Sequence, residues 1–143
     1  MGIDILYKAI AAECRLIVPE LKKIFRDNIP QNAETPFILV LITDTDTRRC
    51  LANRQRVKQS FDVQYFPGGE IQNRRKECEK VKQEMLRGFD VISADGISFY
   101  VKEKNANVTD DVLHLLFSVS YVEYRESAQP KMEELDKKIE TEE

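Results

Sequence analysis

Between Leu113 and Val122 the chain alternates without interruption. Leu113, Leu115, Phe117, Val119 and Tyr121 stand against His114, Leu116, Ser118, Ser120 and Val122. Successive strand side chains point to opposite faces, so this period of two predicts a long strand from Leu113 to about Arg125 with one buried face. Such a strand cannot stand alone. The rest of the chain has to supply partners for its backbone and cover for its apolar side.

Partners are legible upstream. Pro36 leads Phe37-Ile38-Leu39-Val40-Leu41-Ile42, a continuous apolar run that suits a central strand or one covered on both faces. Val57, Phe61, Val63 and Tyr65 then alternate with Lys58, Ser60, Asp62 and Gln64. The two segments predict an antiparallel pair, 37–43 with 55–66, joined by an arginine-rich loop. Asp95-Gly96 between Val91-Ile92 and Ile97 to Lys102 reads as a hairpin, with 105–111 as a loop before the last strand.

Cover comes from two helical patterns. Ile3, Leu6, Ile10, Cys14, Ile17, Leu21 and Ile24 recur at three- and four-residue steps, predicting a helix over 3–25. Pro19 lies inside it and predicts a break near Val18. Ile71, Cys78, Val81 and Met85 mark a second helix over 70–86, with Gly88 as its stop. The order predicts an α+β domain over 1–126, a small mostly antiparallel sheet of about four strands packed with two helices. An acidic C-terminal extension, 127–143, follows.

The charge supports that division. The 143 residues carry a net charge of −3. From Glu126 onward seven acids and three bases give −4, which leaves +1 for residues 1–125. A near-neutral body gives no basis for specific nucleic-acid binding. No apolar run nears the ~20 residues of a membrane helix, and the N-terminus lacks a signal-peptide pattern, so no membrane partner is expected. Past Pro130 the extension carries Met132, Leu135 and Ile139 at helix-compatible spacing, which reads as a short helix docked on a neighbour or as a mobile tail.

Chemical motifs are sparse. Cys14, Cys50 and Cys78 form no CxxC, and with a single histidine they complete no familiar zinc set, so they read as reduced structural thiols. His114 reads as a solvated or hydrogen-bonded strand histidine. Pro67-Gly68-Gly69 before a helix has the outline of a phosphate cradle, but it lacks GxGxxG and GxxxxGK[ST], and Glu70 would repel an anion. Asn107-Val108-Thr109 matches the glycosylation sequon only by coincidence, given the expected intracellular location. No catalytic, cofactor-binding or metal-binding residue is expected. The feature that stands out is basic: Arg48, Arg49, Arg54, Arg56 and Lys58, with no acid over 47–56. Arginine pairs carboxylates in two-pronged fashion, so this loop is a candidate contact to other subunits or to a tube.

Two stretches, Phe61-Asp62-Val63-Gln64-Tyr65-Phe66-Pro67 and the run from Phe117 through Tyr121 and Tyr124 to Glu126, are followed by Pro130-Lys131-Met132-Glu133-Glu134-Leu135. In these pieces and their order the chain resembles the small tail terminator proteins of Firmicutes phages and of phage-derived contractile tails and bacteriocins. The shared pattern covers nearly the whole chain, and none of it is catalytic. The resemblance implies a non-enzymatic structural protein without a cofactor. It implies a hexameric ring that caps the head-proximal end of the tail tube, ends tube polymerisation and offers a surface to the neck. The implied partners are further copies of the chain, the tail tube protein and a sheath or neck/connector protein. The implied location is the bacterial cytoplasm during assembly, then the virion or tail-like particle. Two alternatives stand beside it: another neck component, such as a head–tail connector or sheath-capping collar protein, and a small metal-dependent nuclease using Asp44 and Asp46.

Overall fold

The computed structural model describes residues 2–124 of the chain. Helix α1 spans Gly2–Ile17, followed by strands β1 (Lys23–Arg26), β2 (Phe37–Arg49) and β3 (Arg54–Phe66). A single 3₁₀ turn, Ile71–Asn73, leads into α2 (Arg74–Gly88), and then come β4 (Val91–Ala94), β5 (Ile97–Thr109) and β6 (Val112–Tyr124). The strands form one sheet in the order β1-β2-β3-β6-β5-β4. β1 runs parallel to β2, and every other neighbour pair is antiparallel. The class is α+β as expected, but the sheet is mixed and has six strands rather than about four.

The extra strand at one end comes out of the expected helix over 3–25. α1 stops at Ile17, and the Val18 N–H still reaches the Cys14 carbonyl at 2.8 Å. Pro19 has no N–H to continue the ladder and disfavours helical backbone at Val18. Lys23–Arg26 then pairs with Phe37–Val40. Leu21 and Ile24 match a helical step and serve equally well as inward residues of a turn and a strand, which is why periodicity merged the two elements.

The hairpin of β2 and β3 is longer than expected. Its ladder runs from Phe37↔Phe66 to Arg49↔Gln55, with a bulge between Ile42 and Asp44. Residues 44–49 are therefore strand, not loop, and the turn shrinks to 50–53, where Ala52 and Asn53 take φ of 59° and 61°. β5 likewise continues to Thr109 through a bulge at 102–105 that sets Glu103 at φ 59°, and a two-residue Asp110-Asp111 turn replaces the expected loop. Both turn residues have positive φ, which suits the twist of adjacent strands. Gly88 ends α2 without positive φ. A Cβ there would meet Ile17 Cδ1 at 2.8 Å, so its use is to let the two helices approach.

The apolar periods converge on one face of the sheet. Leu6, Ile10 and Cys14 of α1 and Cys78, Val81 and Met85 of α2 bury themselves against Val63, Tyr65, Leu113, Leu115 and Val119. Aromatic rings centre this layer: Phe117 lies 5.5 Å from both Phe61 and Phe89, and Tyr7 meets Phe61 edge-on at 5.9 Å. Lys8 of α1 bridges to Asp95 in the β4–β5 turn at 3.1 Å.

Candidate assembly surface

The face of the sheet turned away from the helices carries the basic residues. Alternation puts Arg54, Arg56 and Lys58 of β3 on that face, and the β2 register adds Arg48 opposite Arg56 and Asp46 opposite Lys58. On the other side of β3, Val122 stands opposite Arg56, Ser120 opposite Lys58 and Tyr124 opposite Arg54. Asp46, Arg48, Arg56, Lys58 and Ser120 line a shallow depression of about 190 Å³. Arg49 belongs to the helix-bearing side of β2 and is exposed there, so the structure gathers four of the five expected basic residues.

Their environments differ. Lys58 forms an ion pair with Glu103 at 3.1 Å. Glu103 also accepts the Ser118 hydroxyl at 2.7 Å, and that hydrogen bond, with the Lys58 bond and charge, holds its carboxyl below the usual glutamate range. Arg54 donates from Nε to the Leu51 carbonyl at 3.3 Å, closing the hairpin tip. Arg48 and Arg56 are both exposed and directly opposed, and among the described residues neither enters an ion pair. Like charges in that position repel, and an added carboxylate would relieve them.

The sheet also has two open edges. β1 covers β2 only over Phe37–Val40, so among the described residues 41–49 have a partner on the β3 side alone. β4 covers β5 over Ile97–Tyr100, and the Val101 N–H still reaches the Asp90 carbonyl at 2.8 Å, so among the described residues 102–109 have no strand partner on that side. Sequence reasoning missed both edges and Glu103. The signal for the edges was the alternating Thr-Asp-Thr-Asp-Thr of 43–47, which reads as polar loop because neither face is covered.

The remaining chemical candidates resolve into structural contacts. The Pro67-Gly68-Gly69 turn cradles an internal carboxylate: Glu77 accepts the Gly68 and Gly69 N–H groups at 3.0 Å each. His114 Nδ1 lies 3.1 Å from an Asp62 carboxylate oxygen, which also accepts Gln64 Nε2 at 2.9 Å. Asp44 and Asp46 stand opposite Ser60 and Lys58, and among the described residues no group of three or more His, Cys, Asp or Glu is arranged to hold a metal ion. All three cysteines are free, Cys14 and Cys78 buried and Cys50 half-buried. No described helix is long and apolar enough to cross a membrane. Met132, Leu135 and Ile139 lie outside the described residues.

None of the curated proteins matches the chain. One solved structure is 12% identical and covers 89% of this chain and 99% of its own, with a TM-score of 0.41. A family model described as phage tail terminator protein matches residues 6–131. The chain belongs to the phage tail terminator family, whose members are structural proteins of the phage tail.

Proposed function

We propose that copies of this chain close into a six-membered ring on the head-proximal end of a tail tube, stop its polymerisation and present a surface to the neck. The observation that carries this reading is the pair of open edges. β2 and β5 run in opposite directions at opposite flanks of the sheet. A second copy in the same orientation therefore brings its β4 beside the open part of β2 and its open part of β5 beside β1 of the first, with β5 running antiparallel to β1 and β2. Such a contact uses two different surfaces, repeats from copy to copy and closes when the rotation allows. The six-fold count comes from the family resemblance.

The basic row supplies the second contact. Arg48 and Arg56, with Arg54 and Arg49 around the hairpin tip and Lys58 behind them, meet carboxylates of a neighbouring copy or of the tube protein. Met132, Leu135 and Ile139 dock the C-terminal segment on a neighbour. The ring works the same way in an intact phage or in a headless contractile, bacteriocin-like particle, and it needs no catalysis or cofactor. Native mass spectrometry of the full chain, together with electron microscopy of tubes grown with the cognate tube protein, tests the reading. Hexamers and tubes capped at one end are expected. Monomers at every concentration and tubes that grow unchecked in its presence would overturn it.

A further inference from the structure

Along the flank where β1 ends the sheet, α1 and β1 stand apart and leave an open groove of about 370 Å³. Ala11, Ile24 and Phe25 form its apolar floor, and Lys8, Arg15 and Arg26 stand around it with a single acid, Asp4. Arg26 is fixed as a wall: it donates to Asp4 at 3.1 Å and lies 3.7 Å over the Tyr7 ring. Arg15 enters no ion pair among the described residues. Lys8 is paired with Asp95 at 3.1 Å, so the groove is apolar at the base and its net positive charge at the lip rests on Arg15.

The sequence from 126 to 143 has the complementary character. It carries −4, and its three large apolar residues after Pro130 are spaced three and four apart, with Glu133, Glu134, Asp136 and Glu140 between and beside them. We propose that this segment lays Met132, Leu135 and Ile139 into the α1–β1 groove of a neighbouring copy, with its acids against Lys8, Arg15 and Arg26. This rests on the ring reading and gives the docking step a receiving site. β1 is the outermost strand, so the groove faces the subunit boundary, whereas the segment leaves from β6 in the middle of the sheet. The eight residues from Tyr124 to Met132 span at most roughly 26–29 Å when extended, which sets how near the receiving groove of the adjacent copy must lie.

Two differently tagged full-length chains, both carrying Cys50→Ser, test the proposal when co-expressed, one with Ala11→Cys and the other with Leu135→Cys. Under mild oxidation the expected result is an inter-chain disulfide formed at least about ten-fold more than with Gln83→Cys in place of Ala11→Cys, as the raised effective concentration of a docked segment requires. Adding Arg15→Glu to the groove chain should cut the yield. No excess over the control would overturn the proposal. Native mass spectrometry on the same samples separates the two failures: closed rings without the disulfide remove the groove and keep the ring, whereas monomers alone remove the ring reading itself.

Discussion

The Tyr65 hydroxyl donates a hydrogen bond of 2.5 Å to Glu77, and this one contact ties β3 to α2 across the Pro67-Gly68-Gly69 turn. Because Glu77 also accepts both glycine N–H groups, three donors converge on one carboxylate. Burial, reinforced by this neighbour, pushes the Tyr65 hydroxyl well above its ordinary pKa. Glu77→Ala leaves these donors unmet and should cost about 2–3 kcal/mol, against about 1 kcal/mol for Tyr65→Phe. Urea denaturation of the two variants measures the difference, and equal small losses would contradict the assignment.

The opposed arginines set a contrast between folding and assembly. Arg56→Gln removes a like-charge pair from an exposed row, so the stability of the isolated chain should stay within about 0.5 kcal/mol of the wild type or rise. Oligomer formation should weaken. Thermal unfolding and native mass spectrometry on one preparation read both, and a large loss of stability would assign the pair a folding role instead.

Acid should act through Glu103. Its carboxyl is held below the ordinary value of 4.5, first by Ser118 and then by Lys58, so the charged form is favoured by folding. A lowered folded pKa stabilises fully above the unfolded value and loses that contribution as pH falls through the folded one. Between about pH 5 and pH 3 the wild type should therefore lose more stability than Glu103→Gln, whose curve is flatter over the same span. Parallel slopes for the two proteins would contradict this.

Thiol reagents should find one site. Cys14 is fully buried with its pKa raised by burial, and burial pushes Cys78 up to about 11. Cys50, half-buried in the β2–β3 turn, is left as the reactive thiol. Labelling of native protein should stop at one equivalent per chain and rise to three on denaturation, as read by intact mass.

The sequence made the core legible and the rim illegible, for one physical reason. Wherever a strand buries one face, as at Leu113 to Tyr121 or Phe61 to Tyr65, burial imposes the alternation that reveals it. Over 44–49 and 105–109 the strands are held by backbone ladders with little or no side-chain burial, so the side chains look like loop. Asp110-Asp111 turns the chain as sharply as Asp95-Gly96, but without a glycine to announce the positive φ. The basic cluster was visible as composition. Its division between two faces depended on a register that only the bulge after Ile42 fixes.

β6 is the last described element, and it lies inside the sheet with every residue from Leu113 to Tyr124 paired to β3 and most of its length also flanked by β5. A pull transmitted through the C-terminal segment would thus load the strand lengthwise. Its ladder to β3, and below Ser120 the ladder to β5, would have to shear together. A chain anchored this way can serve as a tether that bears tension, with the mechanical limit set by the middle of the sheet and not by its rim.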